Sequence, residues 1–229
     1  MSSNIPKKDI RTLGYVLRRT NYAEADRILN LITPQGKITA IAKSVRKEKS
    51  KLAGGVEMFT LTDFNIHLGR SEFGVITGAK MKKYYGNIIK DFTKMELAAL
   101  ILKKVSKLAE NSDNPEFFKI VDQSLAELDG NNDLGIVESW ALLNLAKATG
   151  EEVNLHRDVN GEKLKAELRY TWDGMEGAFV INEQGDFGAD EIKMLRLMLA
   201  VDLKVIQRVK VSDKTVRQVL GLARMASGV

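Results

Sequence analysis

The sequence predicts an α+β chain, with a small five-stranded barrel at the N terminus followed by a mainly α-helical domain carrying a small β insert. Three observations carry this. The first ~85 residues hold five short runs of β-branched and aromatic residues separated by turn chemistry. After Lys83 the texture changes to helical periodicity with helix caps. The basic charge is confined to the first part. Residues 1–83 carry 16 Lys+Arg against 7 Asp+Glu, a net of +9, and residues 84–229 carry 19 against 23, a net of −4, which together give the chain's +5. The expected domains are residues 1–85 and 86–229, with the β insert near 151–187.

The strand runs are 12–19 (TLGYVLRR), 27–33 (RILNLIT), 37–43 (KITAIAK), 58–67 (MFTLTDFNIH) and 74–81 (GVITGAKM). Pro34-Gln35-Gly36 is a tight hairpin signal, and Gly69 and Gly74 flank another turn. Five strands with a long connection between the third and fourth predict a Greek-key barrel of the OB type. An SH3-like barrel is its structural competitor.

In the second part, Thr93 with Glu96 reads as a capping box for a helix to about Ala109, with Leu97, Ile101, Val105 and Leu108 along one face. Asn114 caps a second helix, with Pro115 at its first position, running to about Leu128. Residues 130–133 form a loop, and a third helix over 134–149 stops at Gly150. Trp140, among Leu143, Leu145 and Ala146, reads as core rather than ligand platform. Residues 166–172 and 178–182 read as short strands around Asp173-Gly174. Two helices follow, 189–209 and 212–225, the second capped by Ser212. Met194 and Met198 supply a core stripe to the first.

Composition narrows the chemistry. The chain has no cysteine, so disulfides, thiol nucleophiles and cysteine-based zinc sites are excluded. His67 and His156 stand far apart with no acidic cluster beside either, so no metal or cofactor site is expected. No phosphate loop, GxGxxG fingerprint or GxSxG elbow occurs, and no catalytic residue is assigned. Glu24 and Asp26 beside Arg27 read as a turn whose carboxylates pair with neighbouring arginines; the alternative is a magnesium-dependent nuclease pair. No run approaches the ~20 apolar residues of a membrane span. The first residues lack the apolar core of a signal peptide, so the expected location is cytoplasmic, nucleoid-associated if the partner is DNA.

The segment 43–51 (KSVRKEKSK) places five cations, Lys43, Arg46, Lys47, Lys49 and Lys51, against one anion between the third and fourth strands. Long cationic side chains on a loop beside a barrel reach a phosphate backbone without reading bases. Arg18 and Arg19 end the first strand, Arg27 begins the second, and Lys37 follows the hairpin turn. These nine residues are the candidate DNA-binding set, expected to border one groove. The aromatic residues of this region are Tyr15, Tyr22, Phe59, Phe64 and Phe73, and several are needed for the core. Binding is therefore expected to be mainly electrostatic and strongly salt-dependent.

Residues 14–27 (GYVLRRTNYAEADR) resemble the opening of the RecO family of bacterial recombination mediators. Thr33, 36–38 (GKI), 42–46 (AKSVR), 50–54 (SKLAG) and 59–61 (FTL) continue the resemblance in order to about Gly69. The resemblance implies binding of single- and double-stranded DNA and annealing of complementary strands. It also implies partnership with the acidic C-terminal tail of single-strand binding protein and with RecR in loading the RecA recombinase. Two departures stand out. Ser44 sits where the family usually has glycine, and the family's four-cysteine zinc module, expected within 151–187, has no cysteines here. The competing readings are an OB-fold RNA-binding module, which the 50–54 match disfavours, and a protein adaptor whose basic face docks acidic tails only.

Overall fold

The computed structural model describes residues 8–69, 73–110 and 112–228. The chain forms two compact units, Met1–Asp129 and Gly130–Val229.

The first unit is built on five strands: β1 (Lys8–Tyr22), β2 (Asp26–Thr33), β3 (Gly36–Ala42), β4 (Thr60–Leu68) and β5 (Gly74–Tyr84). They follow the order β1-β2-β3-β5-β4 and β4 pairs back to β1, so each strand has two neighbours. Only β3 and β5 run parallel. All five expected strands are present, and β1 is longer than its sequence run because it serves two partners. Residues 8–14 pair with β4 and 15–22 with β2, with an irregularity between Val16 and Arg18. Bulges of this kind bend a strand from one sheet surface into the next. Alternate residues fill the interior: Val16, Leu29, Leu31, Ala40, Ala42, Phe64, Ile66 and Ile76, joined by Val45 and Val56 from the β3–β4 connection. The hairpin at Pro34-Gln35 is closed by Gly36 at φ 105, which a side chain would strain. The turn flanked by Gly69 and Gly74 falls on residues 70–72, outside the described residues.

Two helices, α1 (Phe92–Leu108) and α2 (Glu116–Leu128), pack on β1, and α2 reaches β2. Tyr15 faces them. Its hydroxyl donates to Asp122 Oδ1 and lies 2.9 Å from the Tyr85 hydroxyl, while its ring meets Phe118 at 5.5 Å. Burial, reinforced by Asp122, holds the Tyr15 hydroxyl far above the ordinary phenol range. The start of α1 corrects the sequence reading. Its cap is Asp91, extended at φ −127 and ψ 116, whose carboxylate accepts from the Lys94 N–H at 3.1 Å, rather than Thr93. At α2 the cap residue is Pro115, predicted from the sequence as the first helical residue, and Asn114 before it accepts from the Glu116 N–H at 3.0 Å.

The second unit holds α3 (Leu134–Ala148), β6 (Tyr170–Asp173), β7 (Ala178–Ile181), α4 (Ala189–Ala200), α5 (Leu203–Ile206) and α6 (Asp213–Ala226). Trp140, Met194 and Met198 are core, as read from the sequence. The single helix expected over 189–209 is instead broken at Val201-Asp202, and α3 supplies the reason. Trp140 Nε1 donates to the Val201 carbonyl, Asn144 Nδ2 to that of Met198 and Lys147 Nζ to that of Leu199. The open carbonyls of a helix end are thereby satisfied sideways, and the chain turns away. The first insert strand is shorter than expected, starting at Tyr170. The insert is held by an aromatic cluster, with Phe179 edge-on to Tyr170, Trp172 and Phe187 at 6.1, 5.1 and 5.5 Å. Asp158 accepts from the Asn160 and Glu162 N–H groups, and Arg169 donates to the carbonyls of Gly185 and Asp186. No helix among the described residues is long and apolar enough to cross a membrane.

Candidate nucleic-acid interface

The basic segment leaving β3 is anchored at several points. Ser44 adopts the left-handed conformation, φ 53, and its N–H donates to Asp26 Oδ1 at 2.7 Å. The Arg46 N–H donates to the Ala25 carbonyl at 2.9 Å. Two turns follow, Lys47 N–H to the Ser44 carbonyl and Ser50 N–H to the Lys47 carbonyl. Val45 and Val56 plug the barrel interior beneath them. Lys43, Arg46, Lys47, Lys49 and Lys51 are all exposed around this fixed backbone. Asp26 thus corrects one expectation: it holds a loop N–H rather than an arginine. The left-handed turn at Ser44 aims that N–H at Asp26, at the start of β2. Among the described residues no group of three or more His, Asp or Glu could hold a metal.

The other four candidates are distributed differently. Arg19 pairs across strands with Leu29, a core residue, so it lies on the inner face at one end of the barrel. There it forms an ion pair with Glu57, and Arg27 lies 3.8 Å from the other Glu57 oxygen. Both arginines are half-buried and close the barrel's end. Arg18, one residue earlier, is exposed and faces the other way. Lys37 stands apart at the opposite end of β3, its Nζ 3.5 Å from Glu110 Oε1 and from the Ser106 carbonyl of α1. The structure therefore brings Lys43 to Lys51 together, sets Arg19 and Arg27 beside the same barrel end, and leaves Lys37 at the other. Of the aromatic residues, Tyr15, Phe59 and Phe64 are buried, whereas Tyr22, at the β1–β2 turn, is 49% exposed.

A second basic surface escaped the sequence reading. On the outer face of β1, β4 and β5, Arg11 Nε and Nη2 donate to the two oxygens of Asp63, and Lys82 Nζ lies 3.3 Å from Asp63 Oδ2. The Arg11 hydrogen bonds, with Lys82 beside them, pull the Asp63 carboxyl down to about 2. Lys80 and Lys83 are exposed on the same strand, the latter's Nζ 4.6 Å from the Tyr85 ring centroid. The signal was present in residues 80–84 (KMKKY), which breaks the apolar alternation of β5 at its end.

The N-terminal unit is thus a five-stranded OB-type barrel carrying an anchored basic loop, followed by helices. The family models described as "Recombination protein O N terminal" and "Recombination protein O C terminal" match residues 8–85 and 89–226. The chain belongs to the RecO family of DNA repair proteins. It is 29% identical over 213 residues to the DNA repair protein RecO of Dehalococcoides mccartyi strain 195, covering 89% of this chain and 83% of that relative. It is 28% identical over 214 residues to the protein of the same name from Alkaliphilus metalliredigens, covering 89% and 86%. The family models divide the chain just after β5, whereas packing places α1 and α2 with the barrel.

Proposed function

We propose that this chain is a recombination mediator whose residues 1–85 bind single- and double-stranded DNA and whose helical remainder, 86–229, serves protein partners. On this reading it anneals complementary strands and helps load recombinase onto DNA coated with single-strand binding protein. The observation that carries it is the anchored loop: five exposed cations on a backbone held by Asp26 and Ala25. A fixed basic surface meets phosphates without the ordering cost that a mobile loop incurs. Arg18 extends the surface, while Arg19 and Arg27 contribute by giving up Glu57, and Lys37 by giving up Glu110. Annealing needs no catalytic group or cofactor. Neutralising phosphates on two strands lowers their repulsion, and base pairing completes the reaction. The partners are the acidic tail of single-strand binding protein and RecR, with RecA served indirectly, in the cytoplasm at the nucleoid.

The test is fluorescence anisotropy of single- and double-stranded DNA over a salt series, with the natural chain and the triple variant Arg46→Glu, Lys47→Glu and Lys51→Glu. Both DNA forms bind the natural chain, with a slope of about 0.7 (single strands) to 0.9 (duplex) log units per log salt for each phosphate contacted. The variant stays folded, binds far more weakly and shows a shallower slope. A natural chain that ignores DNA at low salt overturns the reading in favour of a protein adaptor.

A further inference from the structure

We infer that the outer face of β1, β4 and β5 is a second strand-binding strip, which holds one nucleic-acid strand while the loop 43–51 holds another. The inference rests on the DNA-binding reading above. Of the 16 cations in residues 1–83, the nine candidates account for the barrel end, the loop and Lys37. Four of the remainder, Arg11, Lys80, Lys82 and Lys83, lie on this face or its edge.

The arrangement is layered. Asp63 lies underneath, its side chain 10% exposed, while Arg11 and Lys82 lie above it at 71% and 41%. Arg11 and Lys82 share Asp63 Oδ2, so the carboxylate holds two cations in place and presents their charge outward. Lys80 is the cross-strand partner of Asp63. Lys80 and Lys82 are two residues apart on β5, about 6–7 Å along the strand. Three cations over one submerged anion leave the outer surface positive. Exposed cations gathered on adjacent strands fit the phosphates of a strand laid across them. The strip and the loop meet different parts of β1, and the connection that follows the loop, Ala53–Gly55, packs on β5 at Ala79. Arg11 lies in the part paired with β4, whereas the loop is tied to Ala25 and Asp26 just beyond Tyr22. Two basic surfaces on one barrel are what annealing by a single chain requires.

The experiment uses the full chain and two non-complementary single strands, one carrying a donor and the other an acceptor dye, with stoichiometry read per chain. The natural chain takes up both strands. The double variant Lys80→Gln and Lys82→Gln binds the first strand within about twofold of the natural chain, takes up no second strand, and anneals complementary strands at least tenfold more slowly. Lys80→Arg with Lys82→Arg keeps both properties. Lys80→Gln alone, which touches no ion pair among the described residues, moves second-strand uptake in the same direction and guards against a folding defect in the double variant. Equal second-strand uptake by the natural chain and the Lys→Gln variants overturns the inference. If the natural chain binds a single strand per chain, and the Arg46, Lys47 and Lys51 variant abolishes it, this inference fails and the DNA-binding reading stands. If the natural chain binds no DNA, both fail.

Discussion

Replacing Ser44 by glycine should stabilise the first unit. Ser44 is held at φ 53 between β3 and the basic loop, with its N–H on Asp26. A residue with a Cβ in that conformation carries about 1–2 kcal/mol of steric cost. Glycine removes this cost but adds freedom to the unfolded chain, worth about 0.4–1 kcal/mol in the opposite direction. The Ser44 side chain is exposed, so its loss gives up little burial. The balance is a gain of about 0.5–1 kcal/mol, or roughly 2–4 °C in the melting midpoint if a unit of this size unfolds as a whole. Ser44→Ala keeps the Cβ and the strain, and should leave the stability within about half a kcal/mol of the natural chain's. The assay is thermal and urea unfolding followed by circular dichroism. Tryptophan fluorescence would be a poor probe, because both Trp140 and Trp172 lie in the second unit. The backbone bond to Asp26 survives in the glycine variant, so DNA affinity should stay within about twofold. A Ser44→Gly midpoint below that of Ser44→Ala would refute the reasoning, since backbone strain could not then be the dominant effect at this position.

Two further outcomes follow from buried and paired groups. Tyr15→Phe removes the hydroxyl that satisfies Asp122 and Tyr85, and should lower stability by about 1–3 kcal/mol; an unchanged urea midpoint would show that these groups find other partners. The Asp63 carboxyl, held down to about 2 by Arg11 and then Lys82, is depressed relative to its unfolded value. Its contribution is therefore complete above about pH 4 and is lost as pH falls towards 2. Asp63→Asn should flatten the acid limb of the stability profile in that window, and an acid limb identical to the natural chain's would remove Asp63 as its source.

The sequence by itself determined the strands, the order of strands before helices, and the confinement of positive charge to the barrel. Each of these is a local pattern: period-two alternation, turn residues and a count of charges. It also determined the core role of Trp140, since apolar neighbours at helical spacing leave a large ring one place to go. What only the tertiary structure decided depends on residues far apart in the chain. The break in the helix expected over 189–209 is set by α3, whose Trp140, Asn144 and Lys147 take carbonyls 52 to 61 residues away. The helix cap at Asp91 rather than Thr93 was a choice between two capable side chains, settled by the extended backbone entering α1. The candidate interface divides in the same way. The basic loop was legible because its cations are consecutive. The confinement of Arg19 and Arg27 by Glu57, of Lys37 by Glu110, and the gathering of Arg11, Lys80 and Lys82 around Asp63 were not, because each is a pairing across strands or between strand and helix. Charge is a property of composition, but the direction a charge faces is a property of register, and register is decided by the closing of the barrel.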